Sequence, residues 1–217
     1  MPPTAQKIPK EMTIHGHTRI DDYYWMRLTD EQKNASEPDA QTQKVVDYIG
    51  QENAYTEASL KHTQQFQEKL FDEIVDRFKK NDSTVPYFKN GYWYYRRYEE
   101  GQEYPIHARK KNSLEANEEI LLNVNEMAEG QDFYQVTGLT VSQDNLWLSF
   151  GVDTVSRRLY AIHFKNLETG EILEETIPNT TGSAAWANDN KTVFYTAKDE
   201  ITLLSERIYR HRVGTHS

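Results

Sequence analysis

The chain has 217 residues, which is long enough for one or two domains with a sizeable core. Its 34 acidic and 25 basic side chains give a formal net charge of -9, which disfavours nucleic acid or an acidic membrane surface as the main partner. There is no cysteine, so thiol catalysis, disulfide bonds and cysteine-based zinc sites are excluded. No apolar run approaches the roughly 20 residues that span a bilayer, and the first residues lack the hydrophobic core of a secretory signal. We therefore expect a cytoplasmic protein without a cofactor.

The first 80 residues predict an N-terminal arm that is irregular at first and helical afterwards. Prolines at positions 2, 3 and 9 indicate irregular structure over residues 1–36. Apolar residues then recur every three or four positions, at Val45, Tyr48, Ile49, Tyr55, Phe66, Leu70, Ile74 and Phe78. This spacing places an apolar stripe on one face of each of two helices between about residue 39 and residue 80.

From residue 81 onward the sequence predicts short strands joined by tight turns. Asn90-Gly91 separates two aromatic runs and has the chemistry of a two-residue hairpin turn. The stretches VSQDNLWLSFGVD and WANDNKTVFYTAKD each contain an Asp-Asn pair, and the two pairs lie 45 residues apart. A repeat of about 40–50 residues built from short strands is typical of β-propeller blades.

The predicted fold class is mainly β, with an N-terminal helical arm at residues 1–80 and a partial β-propeller at residues 81–217. About three four-stranded antiparallel blades are expected, over residues 85–125, 137–178 and 182–217. The last strand of the second blade is expected at residues 171–177, and the first strand of the third blade at residues 184–187. Since a blade cannot bury both of its faces alone, a larger ring is implied that this chain is too short to complete.

Several long segments resemble bacterial oligopeptidase B (protease II), a branch of the prolyl oligopeptidase family of serine peptidases. They are HGHTRIDDYYWMR at residues 15–27, QENAYTEASL at 51–60, KNGYWYYRRYEEGQEYPIHARK at 89–110, SRRLYAIHFKNLETG at 156–170, WANDNKTVFY at 186–195 and YRHRVGT at 209–215. The resemblance implies a seven-bladed propeller that caps the active site and an arm that packs on an α/β-hydrolase catalytic domain. It also implies hydrolysis of short peptides after Lys or Arg through an acyl-enzyme.

The sequence contains none of the catalytic residues that the resemblance implies. The nucleophile of such a hydrolase lies in a Gly-x-Ser-x-Gly turn, and Gly182-Ser183-Ala184 lacks the second glycine. The acid and the histidine follow the nucleophile in chain order, so they belong to a part of the family that this chain does not contain. The chain by itself is therefore expected to be inactive, and its missing partners are the catalytic domain and the remaining blades.

Charged residues in the loops between second and third strands are the candidate functional residues. All such loops lie at one end of a propeller, and the resemblance suggests that the catalytic domain could dock on that end. The candidates are Glu99, Glu100 and Glu103 in the first blade, and Asp153, Arg157 and Arg158 in the second. The hypothesis is that they form interdomain ion pairs that open and close a substrate gate. The simpler interpretation is that they are ordinary loop charges, worth about 0–1 kcal/mol each.

Other conspicuous groups favour structural roles. His15 and His17 are a weak metal pair because no carboxylate cluster lies nearby. His107 and His163 fall on third-strand positions, where they would satisfy a blade edge. The aromatic run at residues 92–95 is better explained by packing between blades than by nucleic-acid stacking, and Arg109-Lys110-Lys111 by a solvated turn.

Two other functions remain open from the sequence. One is a non-enzymatic binding module, in which a propeller fragment presents exposed strand edges to partners. The other is one half of a split peptidase, with the remaining blades and the hydrolase domain on a second chain. In each case the uncovered apolar stripes of the arm could cause self-association.

Overall fold

The computed structural model describes residues 1–215, which form two compact units. The first unit comprises Met1–Phe78 and the second begins at Lys79. Every strand pair is antiparallel, and most of the regular structure of the second unit is β. The predicted fold class is confirmed: the chain is mainly β with an N-terminal helical region, and its sheets belong to a propeller domain.

The first unit begins with a hairpin that the sequence did not predict. Strands β1 (Lys10–Ile14) and β2 (His17–Asp21) pair across a turn at His15 and Gly16, both with positive φ. The hairpin lies within the stretch expected to be irregular. Its side chains are almost all exposed, so the alternation of apolar and polar residues that identifies a half-buried strand is missing. His15 therefore lies in the hairpin turn, and His17 is the first residue of β2.

Three α-helices follow, and side-chain caps mark the start of the first two. They are α1 (Asp30–Asn34), α2 (Ala40–Leu60) and α3 (Gln64–Val75). The carboxylate of Asp39 accepts a hydrogen bond of 2.7 Å from the amide of Thr42, which satisfies one of the unpaired donors at the start of α2. In the predicted apolar stripe of α2, Val45 is buried. The stripe predicted for α3 is not buried, since this helix contains no buried residue and Phe66 is 65% exposed.

The first sheet of the second unit is one propeller blade. It contains β3 (Asp82–Ser83), β4 (Tyr87–Lys89), β5 (Tyr92–Tyr98), β6 (Ile106–Lys111) and β7 (Glu118–Asn123). Both β3 and β4 pair with the same side of β5, followed outward by β6 and β7. A short helix, α4 (Val124–Met127), ends the blade. The Asn90-Gly91 turn has positive φ at both residues, as the hairpin chemistry requires.

The second sheet contains the next blade and the start of a third. Its strands are β8 (Gln135–Val141), β9 (Trp147–Asp153), β10 (Tyr160–Asn166), β11 (Ile172–Trp186), β12 (Thr192–Lys198) and β13 (Ser205–Arg212), paired in chain order. Positions 216 and 217 of the expected third blade lie outside the described residues. The two strands expected at 171–177 and 184–187 form one strand, because β11 pairs with β10 near one end and with β12 near the other.

Three glycines allow the backbone of β11 to pass close to β8 and β9, the first two strands of the second blade. Gly182 has φ +85°, and the ladder between β11 and β12 shifts register between Thr180 and Ala184. A Cβ on Gly151 of β9 would lie 2.5 Å from the Gly182 carbonyl oxygen, and a Cβ on Gly138 of β8 would lie 2.8 Å from the Ser183 Cα. Such backbone contact is open only to glycine, which explains how one strand connects two blades.

Two hydrophobic clusters lie where neighbouring blades face each other. The first joins Tyr94, Leu121, Leu122 and Val124 of the first blade to Leu148, Phe150 and Val152 of the second. The second joins Ile162, Phe164 and Ile177 to Ala184 and Val193 of the third. Each fully buried side chain of this size contributes about 1.5–3 kcal/mol of transfer free energy. The blades are therefore held together mainly by apolar packing.

Candidate functional site

The blades have two chemically different ends. At one end are the turns between first and second strands, where Asn90, Asn145 and Asn190 all adopt positive φ. At the other end are the loops at residues 99–105 and 154–159, together with the loop at residues 199–204 of the third blade. These loops contain the candidate gate residues except Asp153, which is the last residue of β9. We refer to these as the Asn-turn end and the loop end.

Side chains link consecutive blades at the Asn-turn end. The Asn90 amide donates to the Gln143 carbonyl at 2.5 Å, and the Asn145 amide donates to the Asn90 carbonyl at 3.3 Å. The backbone amide of Asp144 donates to the Asn190 side-chain oxygen at 3.2 Å. The turns at Asn90, Asn145 and Asn190, which are 55 and 45 residues apart, therefore link consecutive blades by hydrogen bonds.

A buried arginine strengthens the first junction. Arg109 of β6 is 4% exposed, and its guanidinium donates to Glu119 Oε2 at 2.8 Å and to the Asn145 carbonyl at 3.2 Å. It also lies 4.0 Å above the centre of the Tyr92 ring. The expectation that Arg109 belongs to a solvated turn is wrong, because the strand directs this side chain towards the second blade.

At the loop end of the first blade, Arg97 organises an ion-pair cluster that the sequence did not identify. Its guanidinium contacts Glu99 and donates to Glu118 Oε1 at 2.9 Å, and the Tyr95 hydroxyl donates to Glu118 at 2.6 Å. Tyr95, Arg97 and Glu118 share one face of the sheet. Burial, followed by the hydrogen bond to Glu118, raises the pKa of Tyr95 to about 12. The hydrogen bond from Arg97 holds the pKa of Glu118 below its usual value.

The other two acidic candidates of this blade are solvated. Glu100 lies 3.5 Å from the Lys80 ammonium, and both side chains are more than 60% exposed. A pair of this kind contributes about 0–1 kcal/mol to stability. Glu103 is exposed and forms no ion pair within residues 1–215.

In the second blade, Asp153 shapes its own loop. It is 2% exposed, and its carboxylate accepts hydrogen bonds from the amides of Val155 at 2.8 Å and Arg158 at 2.7 Å. Ser156 and Arg158 adopt positive φ in this loop. The Lys198 ammonium of the third blade donates to the Arg158 carbonyl at 2.8 Å. Asp153 thus fixes the loop that displays the exposed side chains of Arg157 and Arg158.

The six candidate gate residues do not form one cluster of interacting side chains. Glu99 pairs with Arg97, and Glu100 pairs with Lys80. Asp153 binds backbone amides, and in the described part of the blades no ion pair connects the two loops. The side chains of Glu103, Arg157 and Arg158 are exposed and form no ion pair there. Sequence reasoning missed Arg97 and Glu118 because they are 21 residues apart and meet only through strand register.

A cleft of about 380 Å³ lies between the first two blades. His107 of β6 lines it, and burial, followed by the nearby charge of Arg96, lowers the pKa of His107 to about 4. His163 of β10 stacks on Phe150, and burial lowers its pKa as well. Both histidines occupy third strands and are neutral at neutral pH.

Residues 1–215 contain neither a metal-ligand cluster nor a serine–histidine hydrogen bond. No group of three or more His, Asp or Glu in this part of the chain could hold a metal ion. Over the same residues, hydrogen bonds to histidine rings involve the Ser59 carbonyl and the Glu175 carboxylate, and no serine hydroxyl. None of the helices in residues 1–215 has the length and apolar character to cross a membrane.

The chain is similar to known peptidases over nearly its whole length. The chain is 40% identical to dipeptidyl aminopeptidase BI of Pseudoxanthomonas mexicana, covering 99% of this chain and 31% of that protein. It is 31% identical to protease 2 of Moraxella lacunata, covering 98% of this chain and 30% of the relative. The chain therefore spans about a third of the length of the curated relatives that it matches.

Solved structures share the fold. Oligopeptidase B from Leishmania major superimposes with a TM-score of 0.85 at 26% identity, covering 100% of this chain and 31% of that chain. Oligopeptidase B from Trypanosoma brucei gives a TM-score of 0.83 at 22% identity, which shows the fold alone. Residues 2–217 match the family described as the prolyl oligopeptidase N-terminal β-propeller domain. The chain therefore belongs to the prolyl oligopeptidase N-terminal β-propeller family.

Proposed function

We propose that this chain is the arm and the first blades of a serine oligopeptidase that hydrolyses short peptides after Lys or Arg. The observation that carries the proposal is that the family match spans residues 2–217, while peptidase relatives align with nearly all of this chain over about a third of their own length. The likeness to an oligopeptidase B structure at 26% identity supports the same group. In this proposal the chain supplies scaffold and gate, and the catalytic domain lies elsewhere in a cytoplasmic enzyme.

A second candidate activity is the removal of dipeptides from peptide amino termini. It is favoured by the 40% identity to a protein named dipeptidyl aminopeptidase BI. The two activities differ in whether the substrate needs a free amino terminus.

The full-length protein that carries this chain should be assayed on two arginyl amides, one a dipeptide with a free amino terminus and the other the same dipeptide with a blocked one. We expect cleavage of the blocked substrate. Cleavage of the unblocked substrate alone would replace our proposal with the aminopeptidase. Cleavage of neither would favour a non-enzymatic binding module.

We propose that the loop-end charges, namely Glu99, Glu100, Glu103, Asp153, Arg157 and Arg158, form a gate against the catalytic domain. The exposed side chains of Glu103, Arg157 and Arg158 support this, since they form no ion pair in the described blades. Asp153 would act indirectly, through the loop that it shapes.

In the full-length enzyme, Arg157→Ala should change the rates of domain opening and of peptide turnover. Lys111→Ala, which removes an exposed charge near the Asn-turn end, serves as the matched control and should leave both unchanged. Equal kinetics for the two variants would exclude Arg157 from the gate.

We further propose that the uncovered apolar residues of the arm make the isolated chain self-associate. Phe66, Phe71 and Phe78 are each at least 65% exposed. Leaving such side chains in water forfeits about 1.5–3 kcal/mol each relative to burial. Light scattering should give a mass above that of the 25.4 kDa monomer, and a monodisperse monomer would contradict this expectation.

A further inference from the structure

The cleft between the first two blades is built like a small-ligand site. Tyr87 of β4, Tyr94 of β5 and Ala108 of β6 line one wall, and Leu139 and Leu148 of β8 and β9 line the other. Its volume of about 380 Å³ lies within the range of ligand pockets, roughly 300–1,000 Å³. A mostly apolar lining with a few polar groups is also typical of such pockets.

The charge of the cleft is opposite to that of the chain. Lys89 and Arg96 are its charged lining residues, and no Asp or Glu lines it, although the chain carries a net charge of -9. Neither cation forms an ion pair within the described blades. His107 adds no positive charge at neutral pH because its pKa is about 4. The cleft is therefore suited to one anionic group attached to an apolar body.

Both walls of the cleft also contain an edge strand with backbone groups that can form hydrogen bonds. Strand β4 pairs only with β5, and β8 pairs only with β9, so each is the inner edge of its sheet. Residues of both edge strands line the cleft, including Tyr87 and Lys89 on one side and Leu139 and Val141 on the other. An edge strand presents unpaired N–H and C=O groups, which an extended peptide can use and a fatty acid cannot match.

We propose that this cleft binds the carboxyl-terminal end of a short peptide whose last residue is apolar. The apolar side chain occupies the space between Tyr87 and Leu139, and the terminal carboxylate pairs with Arg96. The proposal concerns binding alone and does not depend on which peptidase activity the full-length protein has.

The test measures binding of acetyl-Gly-Leu-Phe to the full-length protein that carries this chain by calorimetry, with the carboxyl-terminal amide of the same peptide as the uncharged control. Because a charge-assisted hydrogen bond is the main difference between the two ligands, the acid should bind about tenfold more tightly. Arg96→Gln should reduce this preference. Arg210→Gln removes an exposed arginine of β13, outside the cleft, and should leave it intact.

Three results would overturn the proposal. They are equal affinity for acid and amide, no saturable binding up to about 5 mM peptide, and equal effects of Arg96→Gln and Arg210→Gln. A further measurement uses dodecanoate as the ligand. Tighter binding of this fatty acid than of the peptide would also reject a peptide site. Thermal unfolding of each variant verifies that a loss of binding does not reflect a loss of the fold.

Discussion

The contact between Gly151 and Gly182 gives the sharpest test of how one strand connects two blades. Replacing Gly151 by alanine adds a Cβ that would lie 2.5 Å from the Gly182 carbonyl oxygen and 2.8 Å from its carbonyl carbon. Both atoms belong to the backbone, so no side-chain rotation can relieve the overlap. Gly151 does not have positive φ, so crowding is the main effect of the substitution.

The magnitude follows from the distances. Ordinary van der Waals contact begins at 3.4 Å, so β9 and β11 would have to separate by roughly 1 Å at a fully packed site. Overpacking of this kind costs about 1–3 kcal/mol. We expect Gly151→Ala to lower the free energy of unfolding of the propeller unit by that amount.

The assay is urea unfolding followed by tryptophan fluorescence, since Trp147 and Trp186 lie on the strands involved. Gly50→Ala in α2 is the control, because a Cβ there meets nothing within 4 Å. That substitution should stabilise its helix by about 0.5–1 kcal/mol. A Gly151→Ala protein whose stability lies within about 0.5 kcal/mol of the parent would refute the proposed backbone contact.

Two further predictions concern buried polar groups. The pKa of His107 in the folded chain, about 4, is below its ordinary value of 6.5, so the unfolded chain takes up the proton first as the pH falls. Stability should be complete above pH 6.5 and decline towards pH 4 by up to about 3 kcal/mol. His107→Gln should flatten this decline in urea titrations, and an unchanged pH profile would contradict the assignment. Arg109→Met removes the bonds to Glu119 and Asn145 while keeping the apolar stem, and should cost about 1–3 kcal/mol in the same assay. A loss below about 0.5 kcal/mol would mean that the guanidinium does not hold the blades together.

Local chemistry made the blades and the helices predictable. The Asn90-Gly91 turn and the two Asp-Asn turns adopt the backbone that their residues favour, and the spacing of Val45 and its neighbours matches α2. These features depend on residues close together in the chain, so a single sequence is sufficient to predict them.

Features that depend on distant contacts were not predictable. The hairpin at Lys10–Asp21 has no apolar alternation, and the continuity of β11 depends on packing of Gly182 against other strands. Arg109 is buried because the second blade covers it. The polar contacts of Asp153 follow from the conformation of a loop, which its sequence alone does not specify.

The most direct test of the whole account is to locate the reactive serine of the full-length protein. The protein from its natural source should be labelled with a fluorophosphonate, which reacts with activated serine nucleophiles, and the modified peptide identified by mass spectrometry. We predict one labelled serine, within a Gly-x-Ser-x-Gly sequence that lies outside these 217 residues. A label on Ser183, or on any other serine of this chain, would contradict the assignment of these blades to the non-catalytic part of a peptidase.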